Sequence, residues 1–499
     1  MSNLPRICEI NEVNMNTNLI KSSFLTVSKI LFFNLILQFL FLQANAQTKN
    51  QILEGEFRKF LDHEWMKGAS VSFHVKSIKG SDFEYKHDAQ RALTPASITK
   101  LLTTSAGLFQ LGKDFQFITK ISHTGTYNEG VLNGNLIIHG GGDPTLTLIA
   151  LDSAVKACFP ALKEIKGEII VDASLYGTRT TPPNWVWEDL GNYYGVGIAS
   201  LNLNDNMFKL YLKTGATGSV ASINKIDPHP PYLHITSEVT AGKKGTGDNS
   251  FLFSAPYSDR HIIRGTLPPN RSNFRVKGGV TDPDYHAVWM LADTLQSQGI
   301  TVNKERLKVE YQQKNLPPSK AIGEIKSRPL SWIIDKTNKK SINLYAESIA
   351  KYVSNKKTGS IVPDSITSTL LNELATVGVN TEGIYLEDGS GLSPFDAFSA
   401  SHMTSVLEKI YHTPQYEAFH NSLAVTGVSG TLKYFCRYNQ AKGKVYGKSG
   451  SMRRVRSYAG YINTDSGDIL AFTIIVNNFS CKSKVVRKAM EPLLGILVK

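Results

Sequence analysis

A change of texture along the chain restricts its fold more than any single motif does. From about residue 116 to 280, short apolar runs such as Gly134–His139 and Met207–Leu212 are separated by glycine, proline and asparagine turns. That is the pattern of short strands. On either side the period changes. Residues 49–64 repeat with helical spacing, Ser70–Lys76 alternates as a strand before a turn at Lys79–Asp82, and a second apolar helical run begins near Ser97. Beyond Asp282 helical spacing returns over Ala287–Gln296, Ile342–Val353 and Asp364–Val377. The chain closes with strands near 444–449, 456–463 and 468–477 and a helix from about 482 to 497. This order reads as a mostly β insertion inside a unit of mixed helix and strand. No internal repeat or low-complexity tract interrupts it.

The N-terminus reads as an export signal over residues 1–46. Lys21 and Lys29 precede an apolar stretch, Ile30–Leu42, and Ala44-Asn-Ala46 offers small residues for cleavage before Gln47. Asn34 and Gln38 break the stretch, which is shorter than a spanning helix needs. Met15 is an alternative start. The expected location is therefore periplasmic or otherwise exported. The rest of the chain is long enough for about three domains and needs no disulfide to fold. Cys158, Cys436 and Cys481 are too few and too scattered for a disulfide scaffold or a zinc site, and one bridge with one free thiol stays open. The twelve histidines show no metal-ligating spacing, so no metal is expected. The net charge of +13 fits, in an exported chain, an anionic wall polymer or a membrane surface better than nucleic acid; a merely soluble basic surface is the alternative.

Within this frame, Ser97-Ile-Thr-Lys100 places a hydroxyl and an amine three residues apart, on one face of a helix. A lysine held deprotonated can activate a serine, which points to serine acyl transfer without a catalytic histidine. The motif is common by chance, so its partners decide. Penicillin-recognising acyl enzymes combine Ser-x-x-Lys with Ser-x-Asn and with Lys-Thr/Ser-Gly on a strand at the sheet edge. Three segments match the second element: Ser200-Leu-Asn202, Ser222-Ile-Asn224 and Ser341-Ile-Asn343. The first two fall in the β insertion, whereas Ser341 opens an amphipathic helix. For the third element, Lys213-Thr-Gly215 lies in the insertion and Lys357-Thr-Gly359 at a helix exit. Lys448-Ser-Gly450 ends a short apolar strand and precedes a hairpin and a terminal helix, so it is preferred.

With these elements the chain resembles the D-alanyl-D-alanine carboxypeptidase/endopeptidase family, the class C low-molecular-mass penicillin-binding proteins. Gly140-Gly-Gly-Asp-Pro-Thr145, Ser200-Leu-Asn-Leu-Asn204, Asp388-Gly-Ser-Gly-Leu-Ser393 and Gly430-Thr-Leu432 match family landmarks in order. The resemblance implies an α/β (α+β) fold, a transpeptidase/β-lactamase-like domain whose antiparallel sheet is flanked by helices. Its parts would span 47–117 and 281–499, around an inserted β-rich domain pair over 118–280 with an inner insertion at roughly 147–230. It implies Ser97 as nucleophile, Lys100 as its base and Ser341 as proton relay. Asn343, Lys448, Ser449, Gly450 and Ser451 would contact substrate, with the Ser97 and Ser451 amides forming the oxyanion hole. Asp143 would reach a basic group on the stem-peptide side chain, against the alternative of a turn-forming Asp-Pro unit. Pro394 stands where the family often carries a basic residue, and Arg437, Arg453 and Arg454 are candidates to replace it, against the alternative of solvated surface arginines. The implied partners are peptidoglycan stem peptides and β-lactam antibiotics, with peripheral membrane contact and no cofactor or nucleic acid. A β-lactamase or a catalytically idle wall-binding protein are the competing readings.

Overall fold

The computed structural model describes residues 49–499, so the expected leader over 1–46 lies outside the described residues. A six-stranded antiparallel sheet forms the centre, in the order Ala424–Val425, Val445–Met452, Val455–Asn463, Ile469–Asn477, Ser70–Lys79, Glu84–His87. The Ile469–Asn477 strand is buried on both faces from Leu470 onward, which is why its sequence is a continuous apolar run and not an alternation. One face is covered by the helix over 49–61 and the terminal Ser483–Val498 helix, through Leu53, Phe57, Phe60, Val486, Met490 and Leu493. The other face carries the Lys100–Leu111 helix, with Leu330–Lys340, Asn343–Thr358, Pro363–Ala375 and Ala400–Tyr411 around it. Every residue from Lys100 to Leu108 is buried, as expected of a helix enclosed on all sides. The fold class is thus α/β with an antiparallel sheet between helical layers.

The inserted part is larger than the sequence pattern suggests. A five-stranded sheet runs Leu307–Glu310, Ile169–Asp172, Leu136–His139, Ile118–His123, Lys320–Lys326, and a four-stranded sheet joins Thr301–Val302 to Glu164–Ile165, Val131–Asn133 and Thr126–Asn128. Strands from beyond residue 280 therefore complete the inserted sheets, and the boundary expected at 280/281 moves to about 326. The reason is visible in the residues. The Pro283–Ser297 helix turns Ala287, Val288, Leu291 and Leu295 onto the inserted core, while the Lys320–Lys326 edge strand is charged and carries little apolar alternation. The inner unit also moves, from roughly 147–230 to 207–279. There two three-stranded sheets enclose Phe208, Leu210, Val239, Leu252 and Ile263. The Leu148–Cys158 helix, expected inside the inner unit, packs instead on the five-stranded sheet's core. Cys158, Cys436 and Cys481 are free thiols.

Candidate active site

Ala96–Thr99 forms a tight 3-10 turn ahead of the Lys100–Leu111 helix, and three-residue spacing brings the two reactive side chains together. Lys100 Nζ lies 3.0 Å from Ser97 Oγ and donates to the Ser390 carbonyl at 2.5 Å. Ser97 is partly exposed, whereas Lys100 is completely buried. Ala96, just before the serine, holds a left-handed φ of 51°, a strained value for a residue with a Cβ.

The Ser390 carbonyl is fixed by a carboxylate that gathers a loop around itself. Asp388 accepts from the amides of Ser390, Gly391, Leu392 and Ser393 at 2.5–3.0 Å and from the Trp185 indole at 2.7 Å. Glu347, buried on the Asn343–Thr358 helix, accepts from the Gly389 amide with both oxygens, at 3.0 and 3.2 Å. Gly391 has a φ of 73°, and a Cβ there would stand 2.1 Å from the Ala96 carbonyl, so only glycine lets the loop meet the Ser97 turn.

A second lysine and serine pair sits on the opposite wall. Lys448 Nζ donates to Ser341 Oγ at 2.8 Å and to the Ser449 carbonyl at 2.6 Å. Two local expectations change here. Ser341 does not open a helix; it occupies a left-handed link (φ 61°, ψ 45°) between Leu330–Lys340 and the helix that starts at Asn343. Lys448 does not end its strand; it lies inside Val445–Met452, opposite Ala459. The Ser449 hydroxyl donates to Thr431 Oγ1 at 2.8 Å. At Gly450 a Cβ would come within 2.5 Å of the Pro95 carbonyl and 3.1 Å of the Ser97 amide nitrogen, so this strand runs directly beside the Ser97 turn. Ser451 follows, exposed.

Burial sets the charge state of the two lysines. It brings Lys100 down to about 8, against the opposing pull of Asp388, Glu347 and Asp396. Lys448 falls well below its ordinary value through burial first, and then through the charges of Lys100 and Arg456. Burial also pushes the Glu347 carboxyl up and the Lys351 ammonium down.

The remaining expected site residues are placed differently. The Asn343 amide nitrogen donates to the Tyr194 carbonyl at 2.8 Å, tying the inserted segment to the cleft wall. Asp143 Oδ1 accepts from both the amide and the hydroxyl of Thr145 at 2.7 Å, and the residue is buried, so its recorded contacts are those of a turn. Pro394 accepts from Thr94 Oγ1 at 3.3 Å, and Arg437, Arg453 and Arg454 are exposed. Of the decoys, Lys357 and Thr358 end a helix capped by Gly359 at φ 69°, and Lys213 and Thr214 end an inserted strand. Residues that the motifs did not mark for the site are Glu347, Asp388, Thr431 and the Ser390 carbonyl. Asp388-Gly-Ser-Gly and Gly430-Thr-Leu were legible as landmarks, but no local signal singles out Glu347.

This geometry meets a consistent set of similarities. D-alanyl-D-alanine carboxypeptidase DacB of Haemophilus influenzae is 25% identical over 449 residues, covering 86% of this chain and 89% of that protein. D-alanyl-D-alanine carboxypeptidase of Actinomadura sp. strain R39 is 25% identical over 445 residues, covering 86% and 81%. Among solved structures, penicillin binding protein 4 (dacB) from Haemophilus influenzae superposes with a TM-score of 0.75 at 24% identity, over 87% of this chain and 97% of that chain. The predatory peptidoglycan endopeptidase Bd3459 of Bdellovibrio bacteriovorus shares the fold more loosely, with a TM-score of 0.50 at 14% identity over 86% and 92%. Residues 53–498 match the D-Ala-D-Ala carboxypeptidase 3 (S13) family, nearly all of the described residues, and the protein belongs to that family.

Proposed function

We infer that the cleft between Lys100 and Lys448 performs serine-type D-Ala-D-Ala carboxypeptidase chemistry on peptidoglycan stem peptides, and that β-lactams acylate the same serine. The observation that carries this reading is the pairing of a reachable Ser97 with a fully buried Lys100 brought down to about 8. In its neutral form the amine accepts the Ser97 hydroxyl proton while Oγ adds to the carbonyl carbon of the penultimate D-alanine. The Ser97 and Ser451 amides receive the developing oxyanion, a contribution of roughly 3 to 4 kcal/mol for a donor of this kind. As the C–N bond breaks, Ser341, held by Lys448, passes its proton to the leaving amine and regains one from the Lys100 ammonium, which returns Lys100 to its neutral form. Lys448, Ser449 and the Thr431 hydroxyl beside them bind the terminal carboxylate of the peptide or of penicillin. Water then hydrolyses the acyl ester. Asn343 contributes through its oxygen, because its nitrogen is engaged by Tyr194. Export across a membrane, proposed from the leader, puts this cleft where peptidoglycan is.

Labelled penicillin followed by peptide mapping tests the assignment. Label should appear on Ser97 and vanish in Ser97→Ala; uptake by that variant at the original rate would overturn it. Incubation with uncrosslinked pentapeptides and crosslinked dimers then distinguishes release of D-alanine from cleavage of crosslinks.

A further inference from the structure

We propose that the outer face of the C-terminal segment 426–499 is a second binding surface for the anionic peptidoglycan polymer, one that holds the insoluble wall while the cleft works on a stem peptide. The proposal rests on the substrate class inferred above. Residues 426–499 contain thirteen Lys and Arg against three Asp and Glu, so this segment supplies +10 of the chain's +13. The charge is not internally neutralised. Lys444 pairs with Asp465, and Asp468 accepts from Ser77 and Ser81. Among the described residues, Lys433, Arg437, Lys442, Arg453, Arg454, Lys484, Lys488 and Lys499 enter no ion pair, although all are exposed.

Two aromatic rings stand out from this basic face. Tyr438 is 90% exposed and Tyr434 59%, each beside a cation, with Arg437 5.4 Å from one ring and Lys433 5.9 Å from the other. Exposed rings flanked by cations suit a polymer that offers apolar sugar faces and carboxylates together. The segment is bonded both to the cleft and to the terminal helix. Thr431, near its start, is bonded to Ser449, and Asn439 ties it to the terminal helix by donating to the Glu491 carbonyl at 2.6 Å. An open groove between them is lined by Tyr438, Lys488 and Lys499, with Glu491 as its carboxylate.

A lipid surface fits less well. The apolar side of the Ser483–Val498 helix, Val486, Met490, Leu493, Leu494 and Leu497, is buried in the core, leaving little to insert.

Co-sedimentation with purified insoluble peptidoglycan sacculi tests the surface, using the full chain. The triple variant Lys433→Glu/Lys484→Glu/Lys488→Glu should lose about tenfold in retention and Tyr438→Ala a few-fold, with the rate of penicillin acylation unchanged. Retention of the native chain should also fall as salt rises, a readout that does not depend on the variants folding. Undiminished pelleting of a folded triple variant, salt-insensitive retention, or binding to phosphatidylglycerol vesicles but not to sacculi would each overturn the proposal. Failure of native protein to take up penicillin while it still pellets would break the catalytic reading and leave this surface standing.

Discussion

The two lysine and serine pairs of the cleft are built alike and charged differently. Each lysine is fully buried, and each Nζ meets one serine hydroxyl, at 3.0 and 2.8 Å, and one main-chain carbonyl, at 2.5 and 2.6 Å. Their surroundings are opposite. Lys100 faces Asp388, Glu347 and Asp396, whereas Lys448 faces Lys100 and Arg456. Carboxylates keep Lys100 from falling further than about 8, so it can both give and take a proton near neutral pH. The neighbouring cations only depress Lys448, which therefore becomes a full charge most readily when an anion arrives to pair with it. The same contact geometry thus suits a base in one place and an anion receptor in the other.

Replacing each lysine by methionine breaks the comparison most severely. Lys100→Met should lower penicillin acylation about a thousandfold, with the acyl step itself slowed. Lys448→Met should cost about a hundredfold, expressed mainly as weaker binding of the carboxylate-bearing ligand. Both variants should fold, since an apolar side chain of similar length replaces a buried amine. Equal losses on the same kinetic constant would mean that the two sites do not divide the work. Next in size is Gly450→Ala. Its Cβ would press on Ser457 Oγ at 2.1 Å and the Pro95 carbonyl at 2.5 Å, levering the Lys448 strand from the Ser97 turn. Stability should drop by about 1 to 3 kcal/mol, measured by thermal unfolding, and acylation by about tenfold.

A smaller substitution isolates charge from contact. Glu347→Gln keeps an oxygen for the Gly389 amide but removes a carboxyl that burial pushes up to about 8, and that therefore faces Lys100 as a charge around and above that pH, with Lys351 one turn along its own helix. Acylation should rise with pH through about 8 in the native chain, because the neutral amine is the active form. Without the Glu347 charge Lys100 sheds its proton more easily, so the rising limb should move to lower pH. A limb that stays in place would reduce Glu347 to a structural support.

The extent to which these features were legible in the sequence follows from how local their causes are. Ser97, Lys100 and Lys448 stand in short motifs whose spacing expresses their geometry, and rejecting Lys213 and Lys357 needed only the period of the segments around them. The closing strands and helix were readable because burial on one or both faces imposes a pattern on the residues themselves. Glu347 was not readable, because its role depends on Gly389, forty-two residues away, and a helical Glu looks the same whether solvated or buried. The insertion's boundary is hidden in the sequence for a similar reason: the strand from Lys320 to Lys326 is specified by its partner Ile118–His123 more than by its own pattern. The periodic neighbours of Ser341 read as helix, while its left-handed backbone leaves no mark in a serine.

Asp143 provides the smallest and most discriminating test, because it contrasts a residue committed to its own turn with residues committed to the cleft. Its Oδ1 already holds the Thr145 amide and hydroxyl, and burial pushes its carboxyl upward. Asparagine retains that oxygen. Asp143→Asn should therefore change stability by less than about 1 kcal/mol and leave penicillin acylation untouched, since penicillin carries no stem-peptide side chain. Turnover of a pentapeptide with a basic side chain should also stay within about twofold of native. A selective loss on that peptide alone, with the penicillin rate intact, would show that the carboxylate reaches past Thr145 to the substrate, and would extend the cleft's electrostatics into the inserted sheet.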